Sequence, residues 1–170
     1  MPLKYVGAIL IFLACGAAGF LMAAGYRKEE RSLSELVRVL DFMSCELEYR
    51  LTPLPQVCRS AANSAQGCIQ KVLGALAVEL ENQISPNAAC CMQVALSAAK
   101  DMPPSVYGAF QALGESLGCY DLDGQLKQLA AVRQQCAAKL TQMQSDGEER
   151  IRRYQTLGLC AGAGLAILFL

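Results

Sequence analysis

Between Ser32 and Leu51, apolar residues recur at Leu33, Leu36, Val37, Leu40, Met43, Leu47 and Leu51, with Glu35, Arg38, Asp41 and Glu48 between them. Spacings of three and four place these apolar positions on one face of a helix that Ser32 or Ser34 is suited to cap. Thr52-Pro53-Leu54-Pro55 stops the helix, because a proline disfavours helical backbone in the residue before it. A second helix is expected through Val57, Cys58 and Ala62, then a turn over residues 63–67. A third covers residues 68–83, with Ile69, Val72, Leu73, Leu76 and Leu80 inward. Ser85-Pro86 reads as a cap with proline at the first helical position, opening a fourth helix to Ala99. After Met102-Pro103-Pro104-Ser105 breaks the chain, residues 106–117 form a fifth helix ending at Gly118. A sixth starts at Asp121–Asp123 and carries Leu126, Leu129, Val132, Cys136, Leu140 and Met143, with Gly147 as a soft point. No stretch alternates with the strand period. The expected fold is all-α, a six-helix bundle.

Both ends depart from this amphipathic pattern. Residues 5–24 are twenty positions without a charge, about 30 Å of helix, the thickness of a bilayer's hydrocarbon core. The other end, residues 154–170, is seventeen residues and the short limit for a span. Arg27, Lys28 and Arg31 follow the first segment, Arg150, Arg152 and Arg153 precede the second, and Lys4 alone lies beyond. The positive-inside rule then places residues 27–153 in the cytoplasm as a bundle between two transmembrane helices. The first and last bundle helices would run on into these spans. Phe12-Leu13-Ala14-Cys15 also approaches a lipoprotein cleavage box, although Leu13 stands where a small residue is needed; the rival reading is therefore an exported or lipid-anchored helical binding module. Small residues at four-residue spacing, Cys15, Gly19 and Ala23 in one segment and Gly158 and Gly162 in the other, suit close helix contact in lipid.

Composition narrows the function. Lys plus Arg and Asp plus Glu are each 15, so no basic excess exists to neutralise phosphates, and nucleic acid is not an expected partner. Alanine and leucine outweigh β-branched residues, which favours helix. Seven of the nine cysteines (Cys45, Cys58, Cys68, Cys90, Cys91, Cys119 and Cys136) lie between the ends without a C-x-x-C pair, and the chain has no histidine. A zinc site would need four thiolates from unrelated helices, so free buried thiols in a reducing compartment are the simpler expectation, with no metal or cofactor.

Motifs for catalysis are absent: there is no phosphate loop, no G-x-G-x-x-G and no G-x-S-x-G. Glu46 and Glu48 point to different helix faces and form no carboxylate pair. Asp121 and Asp123 suit a helix N-terminus, where acids meet the dipole favourably. Cys90-Cys91 is the sharpest reactive candidate, but adjacent cysteines form no unstrained disulfide, and no basic residue lies within a turn to activate a thiol. The expectation is a protein that holds partners, with no small-molecule substrate.

One stretch ends the first bundle helix as Glu46-Leu47-Glu48-Tyr49-Arg50-Leu51-Thr52-Pro53-Leu54. A second reads Leu113-Gly114-Glu115-Ser116-Leu117-Gly118, with Asp121 and Gln125 after it. At this spacing between two apolar ends they resemble the stage III sporulation protein AB family of endospore-forming bacteria, over nearly the whole chain. The wealth of cysteine and the Met102-Pro103-Pro104 break depart from that family's pattern. The resemblance implies a mother-cell membrane component of the channel-like complex between mother cell and forespore. It also implies a helical domain similar to the cytoplasmic domains of the inner-membrane platform protein in type II secretion and type IV pilus systems. Implied partners are other stage III sporulation proteins, a cytoplasmic ATPase among them, the membrane, and further copies of the chain. Within the motifs, Thr52-Pro53 is expected to set the angle between two helices, Gly114 to allow close packing and Gly118 to cap a helix. Glu46 and Tyr49 are expected either to hydrogen-bond to each other or to form part of a contact surface.

Overall fold

A computed structural model describes residues 2–82, 87–97, 99, 101–117 and 122–169. Among them are six helices and no strand: α1 Pro2–Arg50, α2 Leu54–Ser64, α3 Gly67–Asn82, α4 Ala88–Ser97, α5 Pro104–Ser116 and α6 Leu122–Phe169. The all-α expectation holds. The elements form two compact units, one of residues Met1–Glu30 with Gln142–Leu170, the other Arg31–Thr141.

In the larger unit, Leu33, Leu36, Leu40, Met43 and Leu47 of α1 are buried, as their spacing predicts. Val39 is buried with them while Val37 is only half-buried, and Leu51, expected on the same stripe, lies past the helix end and is exposed. From α3, Ile69, Val72, Leu73 and Leu76 are buried, and Leu80 is half-buried. Phe110 of α5 and Leu129, Val132 and Cys136 of α6 add to the core. Neighbours in sequence pack together, α2 on α3, α3 on α4 and α4 on α5.

Local chemistry sets the breaks. Between α2 and α3 the chain turns at Gly67, whose φ of 64° is the left-handed conformation that glycine adopts without a steric cost. Glu35 of α1 fastens this turn: its Oε1 accepts from the Gln66 amide at 2.9 Å, and Arg38, which it also pairs, donates to the Ser64 carbonyl at 2.8 Å. Pro53 and Pro103 occupy the N-cap positions of α2 and α5, so their missing amide donors cost those helices nothing. For α4, Ser85 and Pro86 lie outside the described residues. The helix starts at Ala88, with Asn87 Oδ1 accepting from the Cys90 amide at 2.9 Å, and ends at Ser97, two residues short of the expected Ala99. Arg133 Nε of α6 donates to Asp41 Oδ1 of α1 at 2.8 Å. Both groups are solvated, so the pair contributes little to stability and serves to register the two helices.

In the smaller unit, Tyr26 Oη donates to the Met143 carbonyl at 2.9 Å. Its ring lies beside Gly147, where an added Cβ would meet Tyr26 Cε1 at 3.4 Å. Gly147, expected as a soft point, is instead inside the unbroken α6 and buried. A helix tolerates glycine at modest cost, and here the ring of Tyr26 packs beside it. Among the described residues, no helix is long and apolar enough to cross a membrane. The side chains of residues 2–16 and of most residues from 154 onward lie outside that description, and the two expected spans fall largely on them.

Candidate functional site

The chain leaves α1 through a corner of unusual construction. Leu51 has φ of 50°, the only positive φ at a residue other than glycine among the described residues. A left-handed residue ends many helices, but glycine normally fills that position, because a Cβ there costs about 1–2 kcal/mol. Glu46 holds the chain in this conformation. Its carbonyl accepts from the Thr52 amide at 3.4 Å, its Oε2 from Thr52 Oγ1 at 3.3 Å, and its Oε1 pairs with Arg50 Nη1 at 3.1 Å. Beyond this point, the Pro53 carbonyl accepts from the Gln56 and Val57 amides and starts α2.

This clamp gives Glu46 and Tyr49 different surroundings. Glu46 is half-buried and pairs with Arg50 and Thr52, whereas Tyr49, one turn along the same side of α1, is 78 % exposed, so the Glu46 carboxylate engages Arg50 and Thr52 rather than the Tyr49 hydroxyl. Leu51 is 68 % exposed beside it. A strained corner thus presents an aromatic and an aliphatic side chain to solvent, and strain held in place by surrounding bonds is common where a chain meets a partner. Replacing Glu46 with alanine removes both side-chain bonds. Glu46→Ala is expected to cost about 1–2 kcal/mol in urea unfolding, and Thr52→Val, which removes only the hydroxyl, less.

The second motif group does different work. Leu113 and Leu117 are buried, and the Leu117 amide closes α5 on the Leu113 carbonyl at 2.8 Å. Gly114 lies against α4, where a Cβ would come within 2.5 Å of Met92 Cβ and 2.6 Å of its Cγ. The expected close-packing role is present. Gln125 is half-buried in the first turn of α6, while Gly118 and Asp121 lie outside the described residues. So do Gly19, Gly158 and Gly162 as contact positions, although each falls within α1 or α6. Thr52 and Leu54 are half-buried and Pro53 is exposed.

The thiols diverge from expectation. Cys58, Cys91 and Cys136 are buried, but Cys45 and Cys90 are exposed, because they fall on the solvent side of α1 and α4. Burial pushes the Cys58 thiol up to about 12 and also raises that of Cys136, so both stay protonated and inert. Among the described residues, no cluster of three or more His, Cys, Asp or Glu is placed to hold a metal ion. A groove of about 300 Å³ between α4 and α5 is lined by Met92, Leu96, Tyr107, Gln111 and Glu115.

A family described as Stage III sporulation protein AB matches residues 4–170. The chain belongs to that family. The Stage III sporulation protein AB of Bacillus subtilis (strain 168) is 28 % identical over 174 residues, which is 99 % of each chain. A solved structure of a Stage III sporulation protein AB superposes with a TM-score of 0.61 at 20 % identity, covering 73 % of this chain and 96 % of that one, which supports the fold. Both names are those of a sporulation protein, and the family resemblance carried by the two motifs is thereby established.

The motifs did not point to the groups that complete these sites. Arg50 sits inside the first motif, yet nothing in the spacing distinguishes it from a solvated base. Met92 is one of several apolar residues in α4, and only the approach of the two helices selects it. Tyr26 had a weak signal, an aromatic at the end of a long apolar run.

Proposed function

We propose that this protein is a non-enzymatic, membrane-anchored platform of the sporulation channel complex, its bundle docking a cytoplasmic secretion-type ATPase. The observation that carries this reading is the clamped corner at Glu46–Leu54, which holds Tyr49 and Leu51 out in solvent on a rigid element. Aromatic anchors on preorganised backbone are what a docking surface needs, because little freedom remains to be lost on binding. Residues 5–24 and 154–170 serve as the anchors, and the basic residues at their inner edges favour a cytoplasmic bundle. Family membership supports the assignment to sporulation.

The test is a photo-reactive phenylalanine analogue at position 49 in sporulating cells, with the same group at the exposed Lys71 of α3 as control. The expected product at position 49 is an adduct with a secretion-type ATPase, absent at position 71. Capture of other complex members from position 49 without the ATPase would remove the ATPase from this surface. Labelling of the exposed Cys45 by a membrane-impermeant maleimide added to intact cells would instead favour an exported module.

A further inference from the structure

The two basic edges of the apolar ends do not lie at the same height. Tyr26 of α1 meets Met143 and Gly147 of α6, and both helices run on from that point within one compact unit, so they are antiparallel there. Ala23, one turn further toward the amino terminus, is also buried, as a continuing helix contact requires. Arg152 and Arg153 stand about eight residues beyond the Tyr26 level along α6, roughly 12 Å at 1.5 Å per residue. The same climb along α1 reaches about Ala18. Arg27 and Lys28 lie on the other side of Tyr26 altogether. A single membrane surface therefore cannot pass through both basic clusters.

The choice falls to relative cost. A bilayer edge at Gly25, two residues before the charged Arg27, would carry Arg152 and Arg153 about 10 Å into hydrocarbon. A bilayer edge near the arginines would leave residues 19–26 of α1 outside the hydrocarbon, of which Phe20, Leu21 and Met22 carry most of the apolar surface. Submerging one arginine costs about five times or more what immersing one leucine or phenylalanine gains, so the arginines decide. Their long side chains reach back toward the headgroups and move the edge by about a turn, to the neighbourhood of Phe20. Phe20, Leu21 and Met22 are 69 %, 73 % and 62 % exposed. They stand at the depth of the arginine heads, with Arg27 and Lys28 beyond them facing the anionic surface.

We infer that the hydrocarbon boundary crosses α1 near Phe20, about two turns short of Arg27, and that Phe20, Leu21 and Met22 form an apolar collar in the headgroup layer of the bilayer. This rests on the membrane anchoring proposed above. The collar and the arginines of α6 together set the depth of the anchor.

The chain has no tryptophan, so a single introduced one reports alone. Met22→Trp and Leu10→Trp are made in the full chain and reconstituted into phosphatidylcholine–phosphatidylglycerol vesicles, with or without brominated acyl chains. Leu10→Trp is expected to be quenched strongly by the bromines and little by aqueous acrylamide. Met22→Trp is expected to show the reverse, with emission shifted to the red. In the same Met22→Trp background, Arg152→Leu with Arg153→Leu is expected to deepen residue 22 and raise its bromine quenching at least twofold. Equal bromine quenching at positions 10 and 22 in the parent chain would overturn the boundary while leaving the anchor intact. No bromine quenching at position 10 would overturn both.

Discussion

Gly114→Ala is expected to destabilise the protein by about 3 kcal/mol, although alanine is the better helix former by about 1 kcal/mol. The new methyl would stand 2.5 Å from Met92 Cβ and 2.6 Å from Met92 Cγ. A Cβ moves only with its backbone, so no change of rotamer at Met92 relieves the first contact, and α4 and α5 must separate. Separation opens gaps around their buried side chains, and the weakened dispersion attraction across those gaps supplies most of the cost. Urea unfolding of the full chain in micelles, followed by helical circular dichroism, measures it. Met92→Ala in the Gly114→Ala background is expected to recover only part of the stability, since the Cβ remains. A Gly114→Ala midpoint equal to or above that of the wild type would refute the close approach.

The second large effect is a pH dependence located at Cys58. Its thiol is fully buried in α2, and burial raises it from an ordinary 9.0 to about 12. The unfolded thiol ionises above 9.0, while the folded one stays protonated until about 12. Its contribution to stability is therefore complete below about pH 9 and is lost as pH climbs through that window. At about 1.4 kcal/mol per unit the loss reaches about 4 kcal/mol by pH 12. Tyrosines, lysines and other thiols titrate in the same range, so the reading is comparative. Between pH 8 and 11 the stability of the wild type is expected to fall by about 2–3 kcal/mol more than that of Cys58→Ala. The alanine variant should be the less stable of the two at pH 8 and show the shallower alkaline decline. Parallel declines would place the thiol outside the core.

How much of this was legible beforehand differs by element. The stripe Leu33, Leu36, Leu40, Met43 and Leu47 was readable because helical periodicity alone groups these positions. Val37 and Val39 each lie about 80° from the centre of that stripe, on opposite flanks. Periodicity treats them alike, and only the placement of neighbouring helices buries Val39. Leu51 continues the spacing but not the helix, because the chain turns there toward Pro53. The cap of α4 was expected at Ser85 and is supplied by Asn87, since side chains of similar capping power stood two positions apart. Gly147 was read from its propensity as a weak point, and tertiary contact made it a seat for Tyr26.

The candidate site divides in the same way. Its residues were named from the motifs, but their roles came from geometry: Glu46 turned to Arg50 and Thr52, leaving Tyr49 to solvent. The amino-acid sequence alone determined that the chain is helical, roughly where its helices break, which faces are largely apolar and which family it resembles. These depend on backbone preferences and periodicities that act within a few residues. Tertiary structure decided the contact of Gly114 with Met92 and the register of Tyr26 against α6. Each requires two distant segments to arrive at one place, and no local preference encodes that meeting.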